Sequence, residues 1–273
     1  MKNEDPSVRF LYSTLPGRVL LKIVMGLHMD RVAVRFLRSA SSRAIIAPYA
    51  KKNSIPLTKN DIRSYRSYRE FFLRKVPRDI DMEESHLISP CDGWLSVYDI
   101  ATEGAFSIKG SVYTIADLIG DPRLAERYRD GTALVLRLCA SDYHHYCYID
   151  SCYQGANHFI PGVLHSVQPA ACEKYPVFVL NRRSWCLMET DNFGPVVQTE
   201  IGALVVGGIE NHNENTRVSR GQEKGHFELA GSTIVLLFEK GRITLRDNIR
   251  AELKTSDEAR VLQGMWIGQK TMN

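Results

Sequence analysis

Short apolar runs recur along the chain from residue 87 onward, and Gly, Pro, Asp or Asn residues bound them. Examples are the runs at 87–100 (LISPCDGWLSVYDI), 177–180 (VFVL), 194–209 (GPVVQTEIGALVVGGI) and 232–245 (STIVLLFEKGRITL). Runs of this kind at short intervals predict a mainly antiparallel β domain. A single helix, running from Thr114 towards Arg129, is predicted to interrupt the strands.

The first 80 residues follow a different pattern, in which apolar and basic residues recur at helical intervals. The stretch 18–39 (RVLLKIVMGLHMDRVAVRFLRS) is the clearest case, and a further short helix is predicted at 65–74. These helices either pack on the β domain or lie on anionic lipid as interfacial helices. The predicted fold class is therefore α+β, with a helical, basic, membrane-associating region (1–80) and a mainly antiparallel β core domain (81–273).

The composition is that of a folded protein, since 44% of the 273 residues are hydrophobic. The net charge of +4 is too small to indicate nucleic-acid binding, but it is compatible with an anionic membrane surface. The longest apolar run, at 19–27, contains Lys22 and is shorter than the roughly 18 residues of a membrane-spanning helix. A peripheral membrane protein is therefore expected.

The six cysteines include no Cys-x-x-Cys pair, and the N-terminus (MKNEDPSVRF) lacks the hydrophobic run of a secretory signal. A cytoplasmic location with reduced thiols is expected. No metal site is predicted, because the eight histidines are scattered and no His-x-x-x-His spacing occurs. The sequence also has no Walker loop and no dinucleotide-binding fingerprint.

The stretch at 228–238 (ELAGSTIVLLF) places Gly231 and Ser232 directly before an apolar strand. The simplest interpretation is a tight turn. A conventional Ser-His-Asp hydrolase could use Asp92, His144 and Ser232. However, the G-x-S-x-G motif is absent, and the serine precedes a strand rather than a helix.

A Gly-Ser bond also permits the chain to react with itself. The hydroxyl of Ser232 can attack the carbonyl of Gly231, because glycine tolerates a strained backbone and offers no side-chain obstruction. The reaction needs a nearby base and donors for the developing oxyanion. Elimination from the resulting ester, followed by hydrolysis, would leave a pyruvoyl group at position 232.

Several landmarks together resemble the phosphatidylserine decarboxylase family, and they occur in order over most of the chain. They are YSTLPGRVLLK at 12–22, PCDG at 90–93, KGSVYTIADLIG at 109–120, DYHHY at 142–146, IPGVLHSVQP at 160–169, FGPVVQTEIGALVVGGI at 193–209 and RGQEKGHFELAGSTIVLLFEKG at 220–241. The resemblance implies a carboxy-lyase that cleaves itself between Gly231 and Ser232, into a β chain (1–231) and an α chain (232–273). It implies that Ser232 becomes a covalent pyruvoyl cofactor and that phosphatidylserine is converted to phosphatidylethanolamine and CO2. It also favours a homodimer.

Residue by residue, the resemblance gives Asp92 a role in activating the serine and His144 a role in decarboxylation. The family's second histidine, which is the base for self-cleavage, corresponds to Cys147 here. Another histidine must then supply the base. His165 is the preferred substitute, since family members often have Tyr or Phe there, and His144 serving both steps is the alternative. His145 is expected to point away from His144, because neighbouring strand residues face opposite sides.

Two rival interpretations stay open. The departure at Cys147 allows a degenerate, non-catalytic β module that presents a residue to a partner. Within enzymes, the alternative is a pyruvoyl decarboxylase that acts on a related amino-acid head group. The basic N-terminal region favours a lipid substrate at the cytoplasmic face of an anionic membrane.

Overall fold

The computed structural model describes residues 6–26, 29–108, 111–139, 141–203, 208–229 and 231–271. Parts of the predicted N-terminal region (1–5, 27–28) and of the landmark motifs (109–110, 204–207, 230) lie outside the described residues.

The N-terminal part is helical, as predicted. Its helices are α1 (Pro6–Ser13), α2 (Leu15–Gly26), α3 (Met29–Arg38), α4 (Ile46–Lys52), α5 (Lys59–Ser64) and α6 (Tyr68–Phe72), with a 3₁₀ helix at Ala40–Ile45. Hydroxyl side chains begin the last two. Thr58 forms a capping box with Asp61 at the start of α5, and Ser67 accepts a hydrogen bond from the Glu70 backbone at the start of α6.

Most of the remaining chain is β-structure. Its strands are β1 (His86–Ile88), β2 (Gly93–Asp99), β3 (Ala105–Ile108), β4 (Ser111–Thr114), β5 (Thr132–Leu138), β6 (His145–Cys147), β7 (Cys152–Gln154), β8 (His158–Ile160), β9 (Arg183–Thr190), β10 (Gly194–Ile201), β11 (Gly208–Asn211), β12 (Thr216–Val218), β13 (Glu223–Glu228), β14 (Ser232–Phe238), β15 (Ile243–Leu245), β16 (Ala259–Val261) and β17 (Trp266–Lys270). The ladders between these described strands are antiparallel, so the predicted α+β class is confirmed.

The largest sheet has the strand order β12-β7-β9-β10-β14-β5-β2-β16, with β8 added beside β9. Smaller sheets have the orders β11-β13-β6, β1-β17-β15 and β3-β4. Strand β14 lies between β10 and β5, and each of its seven residues is buried. A strand covered on both faces reads as a continuous apolar run, which is why STIVLLF shows no polar alternation.

Five short helices connect the strands. They are α7 (Ile115–Ile119), α8 (Pro122–Ala125), α9 (Pro169–Cys172), α10 (Val177–Leu180) and α11 (Asp247–Ser256), with a 3₁₀ helix at Glu126–Tyr128. The helix predicted from Thr114 towards Arg129 is thus broken. Gly120 ends α7 in the left-handed region at a φ of 70°, and Asp121 caps a new helix that has Pro122 in its first turn.

The run 177–180, predicted as a strand, is the helix α10. Four apolar residues in a row do not distinguish a buried strand from a buried helical turn. Here Val177 and Phe178 are buried in the core, and the backbone N–H of Asn181 donates to the carbonyl of Val177 as in a helical turn. None of the helices in the described residues has the length and apolar character that crossing a bilayer requires.

Candidate active site around the Gly231–Ser232 bond

Strand β14 separates two hydrophobic cores, because successive side chains of a strand point to opposite sides. Its serine face (Ser232, Ile234, Leu236 and Phe238) is directed to the core that contains Leu138, Tyr146 and Cys147. Its threonine face (Thr233, Val235 and Leu237) is directed to the core that contains Val167 and Trp185. Ser232 pairs with Leu138 across the ladder, which fixes its side of the sheet.

The residues before Ser232 are held in a tight, strained path. A Cβ atom at Gly231 would lie 3.1 Å from the carbonyl oxygen of Leu138 and 3.9 Å from Cγ2 of Val167. Leu229 has a φ of +44°, in the left-handed region that a bulky residue rarely adopts. Such strain is typical of functional sites and costs on the order of 1–3 kcal/mol. This unusual backbone conformation lies three residues before Ser232.

Asp92 lies on the same side of the molecule, two strands away from Ser232. Trp94 pairs with Arg137, which brings Gly93 against Leu138, the partner of Ser232. At a spacing of about 4.8 Å per strand, the Cα of Gly93 is roughly 10 Å from that of Ser232. The carboxylate of Asp92 can therefore reach Ser232 only through an intervening group.

The Asp92 carboxylate already has two partners. Its Oδ2 accepts a hydrogen bond from Arg78 at 2.5 Å, and its Oδ1 accepts one from the backbone of Gln263 at 2.9 Å. Burial raises the pKa of Asp92 above its ordinary value, against the opposing effects of the Gln263 hydrogen bond and the Arg78 charge. The side-chain amide of Gln263 also donates to the carbonyls of Pro90 and His145, so Asp92 is tied to strand β6.

Cys147 is fully enclosed in the serine-face core. Its Sγ lies 4.0 Å from the carbonyl oxygen of Ser89. Burial raises the pKa of the thiol to about 12, so the thiol stays protonated at neutral pH. Cys147 thus occupies the family's histidine position without supplying a base.

His144 directly precedes β6, and its backbone carbonyl accepts a hydrogen bond from the N–H of Phe227 in β13. Its Nδ1 is 2.9 Å from the carbonyl oxygen of Asp142. A carbonyl only accepts hydrogen bonds, so we assign the proton to Nδ1 and the basic lone pair to Nε2. The ring packs on Phe72 of α6 at a centroid distance of 4.4 Å, and the residue is completely buried.

His145 points the other way, as predicted. Its Nδ1 is 2.9 Å from Oε1 of Glu223 and its Nε2 is 3.1 Å from the carbonyl oxygen of Leu73, both on the outer face of the small sheet. Its register partner His226 shares that outer face. His145 therefore belongs to a different environment from His144, although the two are adjacent in sequence.

His165 lies beside the threonine face. Its ring stacks on Tyr175 at 4.8 Å, and its Nδ1 is 3.2 Å from the hydroxyl of Tyr12 in α1. Burial lowers the pKa of His165 below its ordinary value. Two residues further on, Val167 reaches the position where a Gly231 side chain would begin. His165 therefore lies beside the threonine-face core and Ser232 lies against the serine-face core, whereas His144 packs on Phe72 of the N-terminal cluster that also contains Leu229.

The segment before the scissile bond is held by the N-terminal helices, which the sequence analysis did not foresee. Glu228 accepts hydrogen bonds from Arg38 at 2.6 Å and from Arg69, and Leu229 packs in a cluster with Phe72. Burial acts to raise the pKa of Glu228, but Arg69 and Arg38 hold it below the ordinary value. Arg38 and Glu228 are 190 positions apart, so no local motif could have revealed the contact.

The site thus combines a buried serine at the start of a central strand, a left-handed residue three positions before it, and a fully buried histidine whose Nδ1 faces a carbonyl. Residues 68–269 match the family model described as phosphatidylserine decarboxylase. The chain belongs to the phosphatidylserine decarboxylase family, whose members are carboxy-lyases.

The similar proteins are all named as proenzymes. The phosphatidylserine decarboxylase proenzyme 2 of Clostridium acetobutylicum is 37% identical over 97% of this chain and 92% of its own length. The proenzyme of Ruminiclostridium cellulolyticum is 38% identical over 94% and 89%. The proenzyme of Clostridium beijerinckii is 33% identical over 97% and 93%.

Proposed function

We propose that this chain is a self-processing phosphatidylserine decarboxylase, which cleaves itself between Gly231 and Ser232 and converts phosphatidylserine to phosphatidylethanolamine and CO2. The observation that carries the proposal is the Gly231–Ser232 bond. Ser232 begins a buried central strand, and Leu229, three residues before it, has a left-handed backbone, in a chain that belongs to this family. The products of cleavage are a β chain (1–231) and an α chain (232–273).

His144 is the base for cleavage in this proposal. Its Nε2 carries the lone pair, because Nδ1 donates to the Asp142 carbonyl, and the residue is completely buried. The Ser232 hydroxyl loses its proton to Nε2 as its Oγ attacks the Gly231 carbonyl, and the C–N bond breaks as the Ser232 nitrogen takes up that proton, which leaves an ester. Elimination then separates the Gly231 carboxylate from a dehydroalanine at 232, and hydrolysis of the dehydroalanine by water releases ammonia. The Cys147 thiol does not compete, because burial holds its pKa at about 12.

Ser232 becomes the covalent pyruvoyl group of the mature enzyme, and the residues fit such a group. The hydroxyl of Thr233, next to the bond, is buried and makes no hydrogen bond among the described residues. After cleavage, the new N-terminal group at position 232 would therefore lie next to a hydroxyl that can form a hydrogen bond with it. The group supplies an electron sink for the loss of CO2. His144 then gives a proton to the substrate carbon that has lost CO2.

Asp92 has a supporting role in this proposal. Its carboxylate joins Arg78 to the Gln263 backbone, and the Gln263 amide reaches the His145 carbonyl next to His144. Asp92 thereby fixes the backbone of β6 that presents His144. His165 is the alternative base, and its removal is the test of that alternative.

The N-terminal helices carry a surface suited to an anionic membrane. Among the described residues, six of the thirteen exposed large hydrophobic side chains lie in α1 to α3: Phe10, Leu15, Val19, Leu20, Val32 and Phe36. Basic residues, exposed on the same helices, can meet lipid phosphates: Arg9, Arg18 and Arg35. The enzyme is thus seated peripherally at the cytoplasmic face, where its lipid substrate lies. A homodimer is part of the proposal.

Vesicle flotation tests the membrane surface. The combined change of Leu15, Val19 and Phe36 to Ser should reduce binding to vesicles rich in phosphatidylserine, because apolar area is lost from the interface. The matched control changes Met82, Val112 and Leu262 to Ser, which are equally apolar and exposed elsewhere. Equal flotation of the two variants would remove this role from the N-terminal helices.

Intact mass and a lipid assay test the function together. The wild-type protein and the exposed-serine control Ser41→Ala should each give two chains, the smaller one starting with a carbonyl that hydrazides label. Ser232→Ala should give one chain of 30.9 kDa and no CO2 from labelled phosphatidylserine. A single wild-type chain without activity would favour the non-catalytic module. Two chains with release of CO2 only from another amino-acid head group would favour the rival enzyme.

A further inference from the structure

A second cluster of reactive side chains lies on the outer face of the β11-β13-β6 sheet, away from the serine-face core. The cluster brings together residues far apart in sequence: His145, Glu210, His212, Glu223 and His226. We propose that it binds one divalent transition-metal ion, for which Zn²⁺ is the best fit, with His145, Glu223 and His226 as inner ligands and His212 as the fourth.

The strand register creates the cluster. Glu210 pairs with His226 on one side, and His226 pairs with His145 on the other, so the three lie in one row across the sheet. Residues opposite each other in antiparallel strands share a face, which brings their side chains together. The donor atoms of His145, Glu223 and His226 lie within 4.8 Å of one another.

The spacings suit a small ion. Ligands at the usual Zn²⁺ distances and tetrahedral angles are roughly 3.3 Å apart. Oε1 of Glu223 is 2.9 Å from Nδ1 of His145 and 3.6 Å from Nδ1 of His212. Oε2 of Glu223 faces outward to Lys75 at 3.0 Å, which leaves Oε1 for the ion. Small movements of these side chains would therefore bring their ligand atoms to the distances that a bound Zn²⁺ requires.

The buried side chain of His226 gives the clearest indication that a ligand binds at this cluster. The residue is 8% exposed, and neither ring nitrogen has a hydrogen-bond partner among the described residues. Its Nε2 is 3.4 Å from Glu210 but without hydrogen-bond geometry. A buried polar group without a partner is costly, and native proteins rarely keep one unless something binds there.

His145 is oriented as metal-binding histidines are. Its Nε2 donates to the carbonyl of Leu73 at 3.1 Å, which leaves the lone pair on Nδ1, directed into the cluster. A second hydrogen bond of this kind commonly fixes the tautomer of a ligand histidine. Three imidazoles and a carboxylate favour Zn²⁺ over Ca²⁺ or Mg²⁺, which prefer oxygen ligands.

A bound ion would connect β6 to β13 through His145 and His226. The hydrogen bond from His145 to the Leu73 carbonyl would extend this connection to the chain after α6. Strand β13 leads into the strained turn, and β6 begins next to His144. Because the metal would bind only the folded state, it would raise the melting temperature, and the stabilisation would grow with the logarithm of the free metal concentration divided by Kd.

Metal binding to tag-free, chelator-treated protein tests the proposal. Calorimetric titration with Zn²⁺ should give one ion per chain at micromolar affinity or tighter, and Co²⁺ should give the visible spectrum of a tetrahedral nitrogen and oxygen site. The His226→Gln and Glu223→Gln variants should bind about 100-fold more weakly or not at all, whereas the matched control His158→Gln, outside the cluster, should bind like the wild type.

Three results would overturn the proposal. They are the absence of saturable Zn²⁺ binding by the wild type, unchanged affinity in His226→Gln, and a thiolate-to-Co²⁺ charge-transfer band that places the ion on a cysteine. Circular dichroism of each metal-free variant checks its fold. The Co²⁺ spectrum of the wild type tests the ligand set even if a variant does not fold.

Discussion

The serine face and the threonine face of strand β14 flank the same peptide bond with different chemistry. On the serine face, Ser232 shares a core with Cys147 and with the small sheet that presents His144. On the threonine face, the bond meets Val167 and, behind it, the aromatic contacts of His165 with Tyr12 and Tyr175. His144 is completely buried and His165 is half-buried, and the two rings have different neighbours.

The contrast between the two faces bears on which histidine replaces the one that the family resemblance would place at Cys147. His165 contacts Tyr12 and Tyr175 and lies two residues before Val167, which borders Gly231, whereas His144 has a fixed tautomer and packs on Phe72. We infer that the threonine face shapes the bond and that the serine face supplies its chemistry. The predictions below are ordered from the largest expected effect to the smallest.

Gly231→Ala tests whether the threonine face shapes the bond by excluding a side chain. A new Cβ would lie 3.1 Å from the Leu138 carbonyl, close enough to force a shift. A strain of about 1–3 kcal/mol in the transition state would slow self-cleavage by roughly 5- to 160-fold. The conversion of purified precursor into two chains over time gives the rate. Gly241→Ala, where no atom lies within 4 Å, is the control, although its positive φ of 69° adds some strain of its own. Unchanged cleavage in Gly231→Ala would contradict the steric role.

Glu228→Gln tests the clamp that the N-terminal helices place on the turn. The change removes the charge partner of Arg69 and Arg38 and should cost about 1–3 kcal/mol, most of it through Arg69, whose side chain is less exposed. Cleavage should slow several-fold, because the turn is held less firmly. Glu173→Gln, an exposed glutamate elsewhere, is the control. The idea fails if thermal stability and cleavage match the control.

The pH dependence of stability should show the same clamp. Arg69 and Arg38 hold the pKa of Glu228 below that of the unfolded chain, so its contribution is complete above the unfolded pKa of about 4.3. The contribution is lost as the pH falls through the lower, folded pKa. The difference in melting temperature between wild type and Glu228→Gln should therefore be constant from neutral pH to about 5, and shrink below pH 4. If the difference in melting temperature disappeared near neutral pH, the stabilisation would not come from the charge of Glu228.

Cys147→Ala should have the smallest effect on chemistry. Because its thiol is protonated at neutral pH, removing it should leave the cleavage rate within about twofold, while a small cavity lowers stability by about 1 kcal/mol. Gel analysis and thermal melting measure the two effects separately. Loss of cleavage in a folded Cys147→Ala protein would show that the thiol takes part after all.

The sequence was sufficient to predict the antiparallel β core, the N-terminal helices and the opposite orientations of His144 and His145. Those features depend on local periodicity, which the chain displays directly. The break at Gly120 and the helix at 177–180 were mispredicted, because short apolar runs fit more than one structure. The roles of Asp92, His144, His165 and Ser232, and the division at residue 80, stay predictions.

The contacts that sequence reasoning missed depend on the pairing of distant strands. His145 and His226 meet only because β6 and β13 are neighbours in register, and the two residues are 81 positions apart (226 − 145). The Arg38–Glu228 pair joins a helix to a strand at an even larger separation. No spacing rule for histidines or charges reports such contacts before the sheet order is known.

The most direct test of the two faces is a parallel measurement of self-cleavage in His144→Ala and His165→Ala, with His158→Ala as a control. The serine-face account predicts that His144→Ala stays a single chain, since loss of a general base typically costs about 10²- to 10⁴-fold in rate. It predicts that folded His165→Ala and the control both divide into two chains at close to the wild-type rate. An uncleaved His165→Ala protein beside a normally cleaved His144→Ala protein would contradict the account and place the base on the threonine face.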